Sequence, residues 1–588
     1  MKLKDAIGTI RINRKKEQLK TLTTIWGESL NPDNVLKEYP RPQMVRDSYI
    51  NLNGLWDYAI KKSKDYPKKF DGKILVPFSP ESQLSGVGRQ LKPYEFLWYA
   101  TILKMETADK DKRCILHFGA VDQCAAVYVN QQKVLRHIGG YLPFEVDITA
   151  YLKSENNTLS LCVQDFSDNS YHSRGKQKLN RGGMYYTAQS GIWQTVWLEW
   201  VPKTYIQKLH ITPDYENSKV KLQIISNKSP SQKITCKIMD DGEIIGSKTT
   251  DSNLFTLSIP KRKDWSLEHP FLYDLYISLG EDTVTSYFAM RLITITPDEN
   301  SIPRFCLNHK PIFLHGILDQ GYWPDGLYTA PSDEALIYDI DKVKTLGFNM
   351  IRKHSKIEPA RWYYHCDRLG VIVWQDMVNG GLSYHTPFVT WLPNLIAWTK
   401  VHIKDNFYCF FSRRNLAGRK EWLRECDATI EHLSHFACIS TWVPFNEGWG
   451  QFDTGKVTDR IQKKDPARLI DSASGWFDQG CGDFKSEHNY FNKLKVIPDK
   501  RAFVLSEYGG YACYIKGLSS VNRVYGYKIF KTPDQFNKAY FDLIENQLKP
   551  LIPKGLCAAV YTQLSDIEDE VNGIMTYDRR ICKLKDNF

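Results

Sequence analysis

The chain has no Cys-x-x-Cys pair and no Cys/His set with zinc-finger spacing, although 13 Cys occur in its 588 residues. The odd total is scattered, with Cys114, Cys162 and Cys438 inside apolar runs. This excludes a disulfide framework and predicts buried free thiols in a reducing compartment. No stretch approaches the ~20 apolar residues that cross a bilayer. Met1 to Leu30 carries charges throughout and lacks an apolar h-region. A soluble, cytoplasmic protein without membrane contacts is therefore expected. The net charge is +11, yet basic residues cluster only at Arg14-Lys15-Lys16 and in a few Lys pairs. No basic stretch interleaves with aromatics as a nucleic-acid groove requires, so the excess reads as a solvated surface. No motif calls for a metal or an organic cofactor. Internal repeats and low-complexity linkers are also absent, which predicts domains that pack closely.

Aromatics are abundant at 13%, with 16 Trp and 33 Tyr. Such rings can stack on the apolar faces of sugars, but large β domains also bury many of them. The length predicts several domains. Residues 1–38 read as a polar, irregular surface arm. Residues 39–201 carry short apolar runs separated by Asn-Gly, Gly-Gly and Pro, such as Cys114–Phe118, Ala125–Val129 and Thr158–Val163. That pattern predicts a jelly-roll β-sandwich. Residues 202–300 continue in strand-sized pieces, with Asp240-Asp241-Gly242-Glu243 as a hairpin turn, and predict an immunoglobulin-like β-sandwich.

From residue 301 onward the rhythm changes to alternating strands and helices. Strands are predicted at Ile312–Gly316, Phe348–Arg352, Val371–Trp374, Ile439–Phe445, Arg468–Ala473, Ser486–Tyr490, Phe503–Leu505 and Ala558–Thr562. Helices are predicted from Ser332 to Gly347 and from Glu358 to Leu369, and a polar-aromatic insertion spans about 380–425. Eight strands in about 280 residues match a (β/α)8 TIM barrel over 301–588.

Two strings in this segment carry the chemistry: Thr441 to Trp449 (TWVPFNEGW) and Phe503 to Gly510 (FVLSEYGG). Each is an apolar run ending in a carboxylate, Glu447 and Glu507. A Glu at the end of a buried strand is costly unless it is paired or functional. Either alone is compatible with an ordinary ion pair; two together are the equipment of glycosidic bond cleavage. Barrel sites lie at the C-terminal strand ends, so Glu447 on strand four and Glu507 on strand seven face each other across the mouth. Such chemistry needs one protonated carboxyl and one ionised carboxylate held by donors. Tyr490 and Arg352 are the candidate donors to the ionised one, and Asn446 can hydrogen-bond a sugar 2-hydroxyl. His354 and His488 lie at the same strand ends. Asp376 can hold a sugar hydroxyl or pair with an arginine. Trp323, Trp449 and Trp476 follow barrel strands, as stacking platforms or as core.

These strings resemble glycoside hydrolase family 2, which includes β-galactosidases, β-glucuronidases and β-mannosidases. The resemblance rests on Asn53-Gly54-Leu55-Trp56, Ser190-Gly191-Ile192-Trp193-Gln194, Phe348 to His354 (FNMIRKH), Trp374-Gln375-Asp376, Asn446-Glu447-Gly448-Trp449 and Ser506-Glu507-Tyr508-Gly509. It spans residues 39–588. It implies a retaining exo-glycosidase with Glu447 as acid/base and Glu507 as nucleophile, acting on a carbohydrate and needing no cofactor; homo-oligomers fit this frame.

The chain departs from the family's β-glucuronidases, which grip the sugar carboxylate with an Asn-x-Lys motif. Its corresponding stretch, Glu568 to Ile574 (EDEVNGI), lacks that Lys and is acidic. This disfavours a uronide and points to a neutral sugar, a β-galactoside first, with β-mannosides, β-glucosides and α-L-arabinopyranosides as alternatives. A rival from another class is a carbohydrate-binding protein on a decayed enzyme scaffold, which would have lost one of the carboxylates or their supporting Asn and Tyr.

Overall fold

The computed structural model describes residues 17–103, 111–229, 232–385, 387–393, 403–522 and 524–585. The first body is a sandwich of a six-stranded and a four-stranded antiparallel sheet formed between residues 49 and 202. Period-two patterning builds it. In strand Phe96–Leu103, Leu97 and Tyr99 enter the core between the sheets, while Trp98 packs on the opposite face with Ala59, Ala126 and Cys162. The second body has three strands in one sheet and four in the other, formed between Ile206 and Phe288. Val220, Leu222 and Ile224 alternate into its core. Its predicted hairpin is present: Asp240 pairs with Glu243 across Asp241 (φ 47°) and Gly242 (φ 86°). Two positive φ values in a row are what a two-residue turn matched to strand twist requires.

Arg46 joins the two sandwiches. Its buried guanidinium donates to Glu199 (3.0 Å), Asp282 (2.8 and 2.9 Å) and the Ile206 carbonyl (2.6 Å). The expected break at residues 300/301 falls inside a hairpin, because Ile293–Pro297 pairs with Pro303–Leu307. That antiparallel pair is one unit linking the second sandwich to the barrel. The expected surface arm is also anchored over its described part: Thr24 donates through its amide (2.8 Å) and hydroxyl (2.7 Å) to Asp325, and the Trp26 ring meets Trp323 edge-on.

The third body is the barrel. Its strands are β1 (Leu314–Asp319), β2 (Met350–Lys353), β3 (Ile372–Asp376), β4 (Ile439–Val443), β5 (Leu469–Ile470), β6 (Phe484–Asn489), β7 (Ala502–Gly509) and β8 (Leu556–Thr562). All neighbours pair in parallel, in the order β5-β4-β3-β2-β1-β8-β7-β6. The Asp483 amide, donating to the Ile470 carbonyl at 2.9 Å, spans the seam between β5 and β6. Alternate residues serve two cores. Leu318, Trp374, Val504 and Val560 form one cluster with the barrel lining, while Ile317, Val373, Leu505 and Tyr561 pack with the surrounding helices.

The predicted helices are α1 (Asp333–Thr345) and α2 (Ala360–Leu369). The Ser332 hydroxyl caps α1 by accepting from the Ala335 amide, and Gly347 (φ 77°) follows its end. The insertion expected at 380–425 is irregular only in its first part. From Leu416 it becomes the 18-residue helix α3 (Leu416–Leu433), capped by Asn415 accepting from Gly418 and buried through Trp422, Cys426 and Ile430. Within the insertion, residues 386 and 394–402 lie outside the described residues. The 13 cysteines are unpaired and mostly buried. Among the described residues no helix is long and apolar enough to cross a membrane.

Candidate active site

Glu447 follows β4 in a left-handed conformation (φ 52°), held by its amide donating to the Ser474 carbonyl at 2.9 Å. A non-glycine residue in that region is strained by about 1–3 kcal/mol, and such strain concentrates at functional sites. Glu507 lies within β7. Strand alternation from Phe503 and Leu505 would send it outward to the helices. The pairing of β7 with β8 shifts register between Leu505 and Tyr508, and that with β6 shifts at the Glu507 partner, so the bulge turns its carboxylate into the mouth.

The two carboxylates share their partners. The Tyr490 hydroxyl donates to Glu507 Oε2 at 2.7 Å and lies 3.5 Å from Glu447 Oε1. His488 Nδ1 is 2.9 Å from Glu447 Oε1, and its Nε2 is 3.7 Å from Glu507 Oε1. The common hydroxyl ties the two carboxylates into one hydrogen-bonded group.

Beneath the pair lies a buried ionic network. Arg352 Nη1 donates to Glu507 Oε1 (3.3 Å) and to the Ser506 carbonyl (3.0 Å), and Nη2 donates to Asn446 Oδ1 (2.8 Å). The same guanidinium takes Asp376 in two bonds of 2.9 and 3.1 Å. Burial alone would raise the pKa of Glu507. The imidazole of His488, the guanidinium of Arg352, and then His354 and Lys176 outweigh it and hold the carboxyl at about 2. His354 moves the other way: burial, then the charge of Lys176, lower its pKa. Its Nδ1 faces Asp376 Oδ2 at 2.6 Å, and a carboxylate only accepts, so Nδ1 carries the proton. Nε2, buried and without a partner among the described residues, is left as an acceptor.

Arg352, His354, Asn446, His488 and Tyr490 thus gather around Glu447 and Glu507. Asp376 is present but committed to Arg352 and His354 at 1% exposure, so it orients these groups and is not free to hold a sugar hydroxyl. Trp323 is no platform. Its ring is buried against Trp26 and under the Arg579 guanidinium, because the N-terminal segment covers it. Trp449 is likewise buried, stacked on Tyr185 and Tyr384. Trp476 is half-buried, edge-on to His488, with its indole N–H donating to the Val389 carbonyl at 3.1 Å.

Several mouth residues escaped sequence reasoning. Lys176 comes from the long link between the first body's strands Asn157–Gln164 and Val196–Pro202. It is 8% exposed, its ammonium donates no hydrogen bond among the described residues, and it sits 5.4 Å from the Trp449 ring centre. Tyr186, from the same link, donates to Glu570, which also accepts from Asn572 at 3.0 Å. Tyr527 stacks on Tyr490 with ring centres 3.9 Å apart. The one available signal was the link itself, since a long connection without strand patterning inside a compact sandwich is usually functional.

The pattern described as "Glycosyl hydrolases family 2, sugar binding domain" matches residues 92–202, and that described as "Glycosyl hydrolases family 2" matches residues 204–291. The two sandwiches are thus domains of glycoside hydrolase family 2. Among curated relatives, a putative β-glucuronidase of Formosa agariphila is 26% identical over 78% of this chain, and a β-galactosidase of Thermoanaerobacter pseudethanolicus is 25% identical over 82%. The chain spans only 56% and 63% of their lengths. The solved β-D-glucuronidase of Dictyoglomus thermophilum superposes with a TM-score of 0.71 at 16% identity, covering 92% of this chain and 96% of that one. A β-galacturonidase of Eisenbergiella tayi, solved with galacturonate bound, gives 0.69 at 18%, covering 92% and 97%. The arrangement of two sandwiches and a barrel is therefore shared with these two solved proteins at the level of fold.

Proposed function

We propose that this family 2 protein is a retaining exo-β-glycosidase. The observation that carries the reading is the sharing of Tyr490 and His488 by two carboxylates on β4 and β7, and retention is the stereochemical outcome that the resemblance to family 2 implies. Glu507, ionised, attacks the anomeric carbon. Glu447 protonates the departing glycosidic oxygen, and the sugar becomes an ester of Glu507. Glu447, now a base, takes a proton from water as the water attacks the same carbon; Glu507 leaves and configuration is retained. Asn446 spends its carbonyl oxygen on Arg352, which turns its amide N–H groups toward the sugar 2-hydroxyl.

A neutral sugar, a β-galactoside first, is supported by the stretch 568–574, which offers no lysine to a sugar carboxylate. Glu570 is buried there and accepts from Tyr186 and Asn572. A nitrophenyl panel (galactoside, glucoside, mannoside, glucuronide, arabinoside) tests it: the galactoside should give the highest kcat/KM, and a silent panel removes the enzymatic reading. A second reading, a β-uronide, is favoured by Lys176, whose buried ammonium has no hydrogen-bonded counter-ion among the described residues, and by the uronidase names among the relatives. Lys176→Met separates the two. Under the uronide reading, kcat/KM on the glucuronide falls roughly 10²-fold while the galactoside changes little, because losing a charge-assisted bond costs about 1.5–3 kcal/mol.

Arg352 yields a pH prediction. A depressed carboxyl is ionised above its folded pKa and fails as pH falls through that value, so the acid limb set by Glu507 lies near pH 2. Arg352→Gln removes one of the charges that lower it. The acid limb of kcat/KM should then move upward, and stability should fall by roughly 3–5 kcal/mol as Asp376 loses its buried partner. A pH–rate profile and a urea melt check both.

A further inference from the structure

From Glu447 a file of hydroxyls on β6, β7 and the end of β5 runs into the barrel. His488 Nδ1 is 2.9 Å from Glu447 Oε1, and its Nε2 is 3.0 Å from the Ser474 hydroxyl. That hydroxyl lies 2.8 Å from Ser506 Oγ, which lies 2.5 Å from Ser486 Oγ. Ser486 in turn reaches Asp471 Oδ2 at 3.1 Å, while Asp471 Oδ1 has no partner among the described residues. Asp471 and the three serines are buried, and among the described residues the three hydroxyls make no other hydrogen bond. Gly475 (φ 93°) seats the imidazole, since a Cβ there would come 2.9 Å from its Cγ and Nδ1.

Five hydrogen bonds complete this file, so it needs five hydrogens. A neutral imidazole supplies one and the serines three. The fifth has three resting places: Glu447, the second imidazole nitrogen and Asp471. With both carboxylates ionised and the imidazole neutral, one bond of the file has no hydrogen, and a buried bond left unmade is costly. We propose that Asp471 shares with Glu447, through His488 and the three serines, the one proton that leaving-group departure consumes. The inference rests on the reading of Glu447 as acid/base. When the proton moves toward Glu447, Asp471 gives its hydrogen to Ser486 and each hydroxyl passes its own onward. Ser474 then gives one to Nε2, and Nδ1 yields one to Glu447, so total charge is conserved.

The surroundings suit a shared proton. Burial holds the Asp471 carboxyl up at about 6, against Arg352, the Ser486 hydrogen bond and His488, with Asp376 adding to the rise. Glu447 faces His488, its only ion-pair partner among the described residues, and Tyr490, beyond which lies Glu507. Tyr185, Tyr525 and Tyr527 also feel its charge.

The test follows kcat/KM against pH for a methyl glycoside of the sugar that the nitrophenyl panel selects, whose departure needs an acid. In Asp471→Asn the amide both donates and accepts, and in Ser486→Ala the file ends at Ser506. In either variant, loss of the proton no longer leaves a bond of the file unmade. The proton should then leave at lower pH, and the basic limb should fall by about one pH unit in both variants alike. A dinitrophenyl glycoside, which departs without a proton, should show no such shift, whereas a merely structural disturbance would alter both substrates. A silent panel would overturn this inference together with the glycosidase reading. Three active proteins with coincident limbs, an Asp471→Asn shift that Ser486→Ala lacks, or equal shifts on both substrates would overturn this inference alone.

Discussion

Glu507→Gln should lower kcat by roughly 10⁴-fold or more on every glycoside the protein cleaves, with its melting temperature close to that of the parent. The size follows from the role. An amide of the same shape cannot form the glycosyl ester, and only residual catalysis from Glu447 and substrate binding remains. Stability should hold because the substitution leaves Arg352 with two bonds to Asp376 and one to Asn446, so no guanidinium is orphaned. The Tyr490 hydroxyl keeps an oxygen acceptor in the glutamine amide. A large fall in kcat without a fall in stability distinguishes a nucleophile from a structural acid. If Glu507 merely neutralised Arg352, turnover would survive and the melt would shift instead.

Glu447→Gln should behave differently, through dependence on the leaving group. Protonation of the departing oxygen matters most when that oxygen is basic, so kcat for an alkyl glycoside should drop by about 10²–10⁴-fold. A dinitrophenyl glycoside leaves without help, so its first step should survive. The second step, which needs Glu447 as base, then becomes limiting; the ester accumulates and KM falls. Azide, a nucleophile that needs no deprotonation, should restore turnover and yield a β-glycosyl azide. Uniform loss across leaving groups, with no azide rescue, would place Glu447 outside acid/base catalysis. Its position between His488 and Tyr490, in a conformation that glutamate adopts only under constraint, is what motivates the expectation.

Much of this arrangement was legible in the chain. Strand alternation and Gly or Ser caps mark the barrel, and a carboxylate ending an apolar run marks a site because burial makes it expensive. The donors Arg352 and Tyr490 follow from the same strand-end logic. Burial of the tryptophans was not legible, since it depends on partners far away in sequence: Trp26 covers Trp323, and Tyr185 covers Trp449. Lys176 was missed for the same reason. It lies in an unpatterned link of the first sandwich, and only the closed structure carries it to the barrel mouth. The inward turn of Glu507 comes from a bulge that simple alternation does not predict. The acidic strip at 568–570 looked uniformly repulsive, but Arg181 pairs with Asp569 and approaches Glu568, and Glu570 is buried, accepting from Tyr186 and Asn572. That distinction shapes the choice between a neutral sugar and a uronide.

The central claim is that Glu507 becomes covalently glycosylated with Glu447 as its acid/base partner. A 2-deoxy-2-fluoro glycosyl fluoride of whichever sugar the nitrophenyl panel selects tests it directly, because the fluorine slows hydrolysis of the ester and traps it. Peptide mass mapping of the inactivated protein should find one fluoroglycosyl group per chain, on the peptide containing Glu507 and on that side chain. A label on another carboxylate, or unimpeded turnover of the fluoro sugar to product of inverted configuration, would contradict the account.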